Sequence, residues 1–325
     1  MKILVVGAGA IGGYYGARLI QAGADVTFLV RPKRAAALAE RGLQVHSPLG
    51  DFAGPVRTID AASLRPDYDL ILLSCKAYDL DAALDDIEGA VGEQAPTENT
   101  GMAGPRTADP HILPFLNGVG VYDQLDARYG KDRVIGGVSY IATMLDAQGS
   151  IRHLANTDVV IVGARTDAAT RKAEAFHALI TQSPGVRTLS TDIEQALWNK
   201  WMMLACGALM NCLMRGTIGD ILGTQDGARL MHQAIAECLS VAKAEGHPLP
   251  REEVRKLEER LLDVNSKWAA SMMRDIAQDA PRLESQAIVG DLITRATRHG
   301  IDVPLIRASY CHLQVYARQQ AAPVS

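Results

Sequence analysis

The sequence predicts an α/β protein, with an N-terminal Rossmann-type doubly wound sheet followed by a mainly α-helical C-terminal domain. Short β-rich runs alternate with helical segments up to about residue 189, which is the pattern of a doubly wound sheet. From residue 190 onward the pattern changes to long helical stretches without a convincing strand. A chain of 325 residues with 48% hydrophobic residues suits two domains, which we place at 1–189 and 190–325.

Periodicity and capping patterns predict the individual elements. The predicted strands of the first domain are 2–6, 25–30, 69–74, 112–116, 134–141 and 159–162. A capping box at 191–194 predicts the first long helix of the second domain. The apolar run 201–214 is shorter than the roughly 20 residues needed to cross a bilayer, so we expect a buried core helix.

The first predicted strand runs directly into a glycine-rich turn. The turn reads Gly7-Ala8-Gly9-Ala10-Ile11-Gly12. Gly7 permits a tight turn, Gly9 lets backbone approach a phosphate, and Gly12 lets helix and strand pack closely. A purely structural turn is the alternative, but an apolar strand before it and a helical pattern after it favour a dinucleotide pyrophosphate at the helix N-terminus.

The end of the second predicted strand indicates which dinucleotide binds. No acidic residue stands there to bind the ribose hydroxyls of NAD, and Arg31 follows instead. Arg31, supported by Lys33 and Arg34, offers positive charge for a 2′-phosphate, which predicts NADP(H). The alternative is that these three cations form an ordinary solvated loop.

Two polar positions follow further predicted strands, where ligands bind in open α/β sheets. Lys76 comes just after strand 69–74, and Asn117-Gly118 comes just after strand 112–116. The Asn117 amide can hydrogen-bond both a nicotinamide ribose and a substrate oxygen. An Asn-Gly pair is also a strong turn signal, so a plain turn is the alternative.

Two further polar residues belong to the helical half. Lys200 has Trp198 and Trp201 beside it and an apolar run after it, so its ammonium must snorkel or find a partner. A lysine placed there is a candidate acid. Glu284 opens another predicted helix and is a candidate partner, although composition alone favours a surface carboxylate near a helix N-terminus.

Charge and cysteine usage exclude several classes of function. A net charge of −4 and a pI near 6.1 provide no basic field for nucleic acid or an anionic membrane. The five cysteines lie far apart and lack metal-ligand spacing, so we expect reduced thiols, no metal and a cytoplasmic protein. No signal peptide is expected at the N-terminus. The apolar helical half is compatible with a homodimer.

The segment 95–110 is rich in Pro, Gly and Thr and has no periodicity. We interpret it as a surface loop that serves as a connector, and a functional lid is the alternative.

Several motifs occur together and in order. They are the glycine turn at 7–12, Arg31, Lys76-Ala77-Tyr78, Asn117-Gly118-Val119-Gly120, Trp198-Asn199-Lys200, Ser271-Met272 with Asp275, Glu284 with Gly290, and 299–304. With these motifs the chain resembles a ketopantoate reductase over almost its whole length. The resemblance implies NADPH-dependent reduction of 2-dehydropantoate to pantoate, on the route to pantothenate and coenzyme A.

The resemblance also implies residue roles. Lys200 would be the general acid and Glu284 its partner, both touching the substrate together with Ser271 and Asn117. NADP would be held by the glycine turn, Arg31, Lys76, Asn117 and the main chain near Ala142.

The sequence departs from the family pattern at the substrate. Leu204, Ala208 and Ile218 stand where reductases of this kind have asparagines, and Asn211 is off register. An apolar pocket would favour another branched 2-oxo acid, because an unpaired substrate hydroxyl is costly to bury. A third hypothesis is an NADPH-binding sensor without catalysis.

Overall fold

The computed structural model describes residues 1–91 and 109–321. The described residues form two compact units, one spanning Met1–Leu116 and Tyr122–Glu194 and the other spanning Asn117–Val121 and Gln195–Ser325. The predicted connector at 95–110 lies outside the described residues except for Asp109 and Pro110.

The described strands all lie in the first unit. They are β1 (Lys2–Val6), β2 (Asp25–Leu29), β3 (Leu43–His46), β4 (Phe52–Gly54), β5 (Arg57–Ile59), β6 (Leu70–Leu73), β7 (His111–Pro114), β8 (Gly136–Leu145), β9 (Ile151–Gly163) and β10 (Val186–Leu189). The first sheet has the order β5-β2-β1-β6-β7, and every neighbouring pair in it is parallel. The central strand β1 is buried from Ile3 to Val6, as expected for a parallel sheet covered on both faces.

The second sheet corrects one expectation from the sequence. Runs 134–141 and 159–162 were predicted as strands of the doubly wound sheet, but β8 and β9 pair antiparallel to each other in a separate sheet of order β10-β9-β3-β4. A tight turn at 146–150 joins them, closed by hydrogen bonds between Asp146 and Ser150 and between Gly149 and Asp146. Such a short connection permits only antiparallel pairing, because parallel neighbours need a crossover.

Helices of the N-terminal half connect these strands. They are α1 (Ala10–Gln21), α2 (Pro32–Arg41), α3 (Leu80–Asp86), α4 (Glu88–Val91), α5 (Gly120–Tyr129) and α6 (Thr170–Ile180). Helix α1 is anchored by Tyr14 and Tyr15, whose hydroxyls donate to the buried carboxylate of Asp158 at 2.9 and 3.1 Å. Arg187 pairs with the same carboxylate at 2.7 Å, so a buried ion pair fixes the helix that follows the glycine turn.

The second unit is helical in its described residues. Its elements are α7 (Ile193–Met214), α8 (Ile218–Leu222), α9 (Gly227–Ala244), α10 (Arg251–Leu261), α11 (Ser271–Ala277), a π-helical turn at Gln286–Gly290, α12 (Asp291–Arg298) and α13 (Pro304–Ala321). Helix α7 begins two residues after Thr191 and contains the predicted buried run. No helix in the described part of the chain combines the length and apolarity that a membrane crossing needs.

Candidate active site

The glycine turn between β1 and α1 is closely packed on one side and open on the other. Gly7 has φ +94°, a conformation that favours glycine. A Cβ on Gly12 would lie 2.1 Å from both the Gly7 carbonyl oxygen and the Ser74 hydroxyl, whereas a Cβ on Gly9 would meet nothing within 4 Å. Backbone can therefore approach a ligand at Gly9, and the first N–H groups of α1 are available to an anion.

Ser74 supports this turn and was not singled out from the sequence. Its hydroxyl donates to the carbonyl oxygen of Val6 at 2.8 Å, just below the turn. The only signal in the sequence is a small polar residue at the end of an apolar strand. That signal does not show which neighbouring strand the hydroxyl meets.

The three cations after β2 do not point the same way. Arg31 precedes α2, is 75% exposed and has its guanidinium 3.6 Å from Asp79. Arg34 instead donates through Nε to the Ala8 carbonyl at 3.0 Å and through Nη1 to the Gly149 carbonyl at 3.0 Å. Arg34 thus braces the glycine turn, and only Arg31 and the exposed Lys33 remain as surface cations of this group.

Lys76 and Ala142 also lie in the first unit. Lys76 is exposed and precedes a 3₁₀ turn at Ala77–Asp79, three residues after β6 ends at Leu73. Ala142 is partly buried in β8, where the pairing with β9 is irregular between Ile141 and Thr143. Irregularities of this kind are common next to functional sites because they redirect the backbone.

Asn117, Lys200 and Glu284 come together within the second unit. Lys200 lies in the second turn of α7 and is partly buried. Glu284 is only 6% exposed, so the prediction from composition that it is a surface carboxylate is wrong. The Asn117 side-chain amide donates to the Glu284 carboxylate over 3.5 Å.

The electrostatics of this group centre on Lys200. Burial lowers the pKa of Lys200 to about 8, while the negative charge of Glu284 opposes that shift. With this pKa the ammonium form prevails at pH 7, yet the proton leaves far more easily than from an exposed lysine. A general acid works best when its pKa lies near the operating pH.

The predicted substrate side of the site is largely apolar. Leu204 and Ala208 follow Lys200 by one and two turns on the same face of α7, and Ala208 and Ile218 are fully buried. Ser271 opens α11 and is partly buried.

Asn211 has a different role. It is fully buried, and its side-chain amide donates to the Gly216 carbonyl at 2.7 Å. Its side-chain oxygen accepts from the Ala270 N–H at 3.0 Å. The nitrogen and the oxygen of the Asn211 amide therefore both bind backbone groups. These two hydrogen bonds join the end of α7 to the start of α11.

Within 1–91 and 109–321, no cluster of three or more His, Cys, Asp or Glu side chains is arranged to hold a metal ion. All five cysteines are free thiols.

Two family models match the chain. The model described as "Ketopantoate reductase PanE/ApbA" covers residues 3–166, and "Ketopantoate reductase PanE/ApbA C terminal" covers residues 192–317. Together they span both units.

Relatives and solved structures extend the likeness. The chain is 30% identical to an uncharacterized oxidoreductase, YkpB, of Bacillus subtilis, over 98% of this chain and 100% of that protein. It is 31% identical to a 2-dehydropantoate 2-reductase of Mesorhizobium japonicum, over 74% of this chain and 77% of that protein. The structure of D-mandelate dehydrogenase, solved as a ternary complex with NADH and anilino(oxo)acetate, superposes with a TM-score of 0.84. The match covers 99% of this chain and 100% of that chain at 18% sequence identity, so it shows a common fold.

Proposed function

The chain belongs to the ketopantoate reductase family and is an oxidoreductase, and on that premise we propose that it reduces 2-dehydropantoate to pantoate with NADPH. The observation that carries the proposal is the grouping of Lys200, Glu284 and Asn117, which provides a proton donor of lowered pKa beside a buried carboxylate. Membership in an oxidoreductase family also favours catalysis over a non-catalytic NADPH sensor.

In the proposed reaction NADPH, when bound, supplies the hydride to the carbonyl carbon. Lys200 transfers a proton from its ammonium nitrogen to the carbonyl oxygen as negative charge develops there, and afterwards regains a proton from water. Glu284 holds that ammonium by its charge, and Asn117 orients Glu284 through the side-chain amide. Ser271 would contact the substrate.

The cofactor residues are proposed from the first unit and from Asn117. The N–H groups of the turn at 7–12 would bind the pyrophosphate, and Arg31 and Lys76 would bind the 2′-phosphate. The main chain near Ala142 and the Asn117 amide would complete the site. The exposure of Arg31 supports NADPH, whereas the NADH bound to D-mandelate dehydrogenase makes NADH the cofactor to compare.

A second candidate substrate is another branched 2-oxo acid without a hydroxyl. Leu204, Ala208 and Ile218 offer it apolar contacts, and Asn211 is held by backbone partners. A buried substrate hydroxyl without a partner costs about 1 to 3 kcal/mol, which corresponds to roughly 5- to 150-fold in selectivity.

Steady-state turnover of a 2-oxo acid panel with NADPH and NADH tests the proposal. We expect 2-dehydropantoate with NADPH to have the highest kcat/KM. A higher kcat/KM for 2-oxoisovalerate would select the second candidate, and Leu204→Asn should then shift preference back toward 2-dehydropantoate.

The free thiols support a reducing compartment, and cytoplasm is the proposed location.

A further inference from the structure

The π-helical turn at Gln286–Gly290 begins two residues after Glu284 and is held from two sides within the second unit. On one side the Trp201 indole Nε1 donates to the Ile288 carbonyl at 3.1 Å, and both residues are buried. On the other side Gly118 lies against Ala287, where a Cβ on Gly118 would come 2.5 Å from the Ala287 carbonyl oxygen. Isolated π-turns occur frequently at functional sites.

These contacts connect the segments that carry the proposed catalytic pair. Trp201 follows Lys200 directly on α7, so its hydrogen bond ties the lysine-bearing helix to the turn. The Ile288 N–H donates to the Glu284 carbonyl oxygen at 3.0 Å, so the Glu284 backbone belongs to the same hydrogen-bonded turn. Gly118 follows Asn117, whose amide contacts the Glu284 carboxylate.

We propose that Trp201 is a positioning residue of the active site, whose indole N–H fixes the π-turn so that the Glu284 carboxylate stays beside the Lys200 ammonium. The inference rests on the proposed function for its catalytic consequence. Without the indole N–H the Ile288 carbonyl loses a buried partner, and the turn relaxes toward an arrangement that no longer holds Glu284 in place. Glu284 then supports the protonated form of Lys200 less strongly.

Trp198 provides a matched control on the same helix. Its ring stacks on His247 with centroids 5.1 Å apart and planes inclined by 16°, and it also packs against the Trp201 ring. Trp198→Phe therefore makes the same chemical change one turn away, without removing the hydrogen bond to Ile288.

The test compares Trp201→Phe, Trp198→Phe and Glu284→Gln in the full-length protein. We expect Trp201→Phe to lower kcat about 3- to 10-fold, the range of one hydrogen bond, with little change in NADPH affinity. Amine labelling of the free protein as a function of pH, read by mass spectrometry, should give a lower pKa for Lys200 in Trp201→Phe and a still lower one in Glu284→Gln. Trp198→Phe should leave the pKa of Lys200 unchanged.

Wild-type kcat together with an unchanged Lys200 titration in Trp201→Phe would overturn the inference. If the wild type reduces no 2-oxo acid but the pKa of Lys200 still falls in Trp201→Phe and stays unchanged in Trp198→Phe, the proposed function fails and the positioning role stands. Should Trp201→Phe fail to fold, hydrogen exchange of the Trp201 indole N–H in the wild type, followed by NMR, is the second measurement. We expect slow exchange because this donor is buried and bonded to the Ile288 carbonyl. Exchange as fast as that of an exposed indole would overturn the inference.

Discussion

Asn117 and Glu284 approach to 3.5 Å, amide nitrogen to carboxylate oxygen, although 167 positions separate them in the chain. The same carboxylate raises the pKa of Lys200 against the lowering effect of burial. Three segments thus contribute one polar side chain each to a largely buried group. Changing any one of these side chains therefore changes the electrostatic surroundings of the other two.

Replacement of the proposed acid should separate catalysis from binding. We expect Lys200→Met to lower kcat by about 100-fold or more, since proton transfer by a positioned side chain contributes on that scale. NADPH affinity, measured by fluorescence titration, should stay within about twofold. Near-normal turnover in Lys200→Met would refute the role of Lys200 as acid.

Activity should fall on the alkaline side of neutrality. Because the pKa of Lys200 is lowered to about 8, the ammonium form needed for reduction is lost as the pH rises through that value. The kcat/KM profile of the reduction should therefore decline above about pH 8, and in Glu284→Gln this limb should move to lower pH. A wild-type profile that stays flat to pH 10 would contradict the assignment.

The buried charges should also cost stability. The folded pKa of Lys200 lies below its ordinary value of 10.5, so the folded state disfavours the charged form and wild-type stability rises from about pH 8 to pH 10.5. We expect the double variant Lys200→Met/Glu284→Gln to be about 1 to 3 kcal/mol more stable than wild type at pH 7. Urea unfolding should show a smaller gain at pH 9.5. Lys200→Met alone leaves a buried carboxylate and is the control that should lack the gain.

Arg31 and Arg34 should affect cofactor binding in different ways. Arg31→Ala should weaken NADPH about 10-fold or more and leave NADH nearly unchanged, because its exposed guanidinium is the proposed contact of the 2′-phosphate. Arg34→Met should weaken both cofactors by similar factors, since Arg34 holds the Ala8 carbonyl of the shared turn. Calorimetric titration of both cofactors distinguishes the two patterns, and equal losses in Arg31→Ala would remove the argument for NADPH.

Asn211 should behave as a structural residue. Asn211→Leu leaves the Gly216 carbonyl and the Ala270 N–H without their side-chain partner, so we expect a loss of about 2 to 4 kcal/mol in unfolding free energy. At temperatures where the variant stays folded, its KM for the 2-oxo acid should match that of the wild type. A raised KM in a stable variant would instead place Asn211 at the substrate.

The sequence predicted the parallel sheet better than the second sheet. Strands β1, β2, β6 and β7 lie within a residue or two of prediction, since continuous apolar runs are typical of strands buried on both faces. Strands β3, β4, β5 and β10 have only three or four residues each and were missed. Strand β9 begins at Ile151, eight residues before the predicted 159–162. Its N-terminal half was missed because it is mostly exposed and its apolar residues do not form a continuous run.

At the candidate site, the sequence does not show the directions in which side chains point. Family motifs predicted Lys200, Glu284 and Asn117 as site residues, and the structure brings these three side chains together. Arg34 stands next to Arg31 in the chain and was grouped with it, but side-chain direction depends on tertiary contacts that adjacency does not reveal. The π-turn and its Trp201 hydrogen bond leave no periodic signature in the sequence.

The division of the chain affects how the protein can be dissected in the laboratory. Five residues, Asn117–Val121, belong to the helical unit although the polypeptide before and after them belongs to the other. A fragment expressed from Gln195 onward would lack the amide that contacts Glu284 and the glycine that contacts the π-turn. Ribosomal synthesis likewise produces Asn117–Val121 before the rest of its unit, so the helical half acquires these contacts to Glu284 and to the π-turn only from a piece of chain made much earlier.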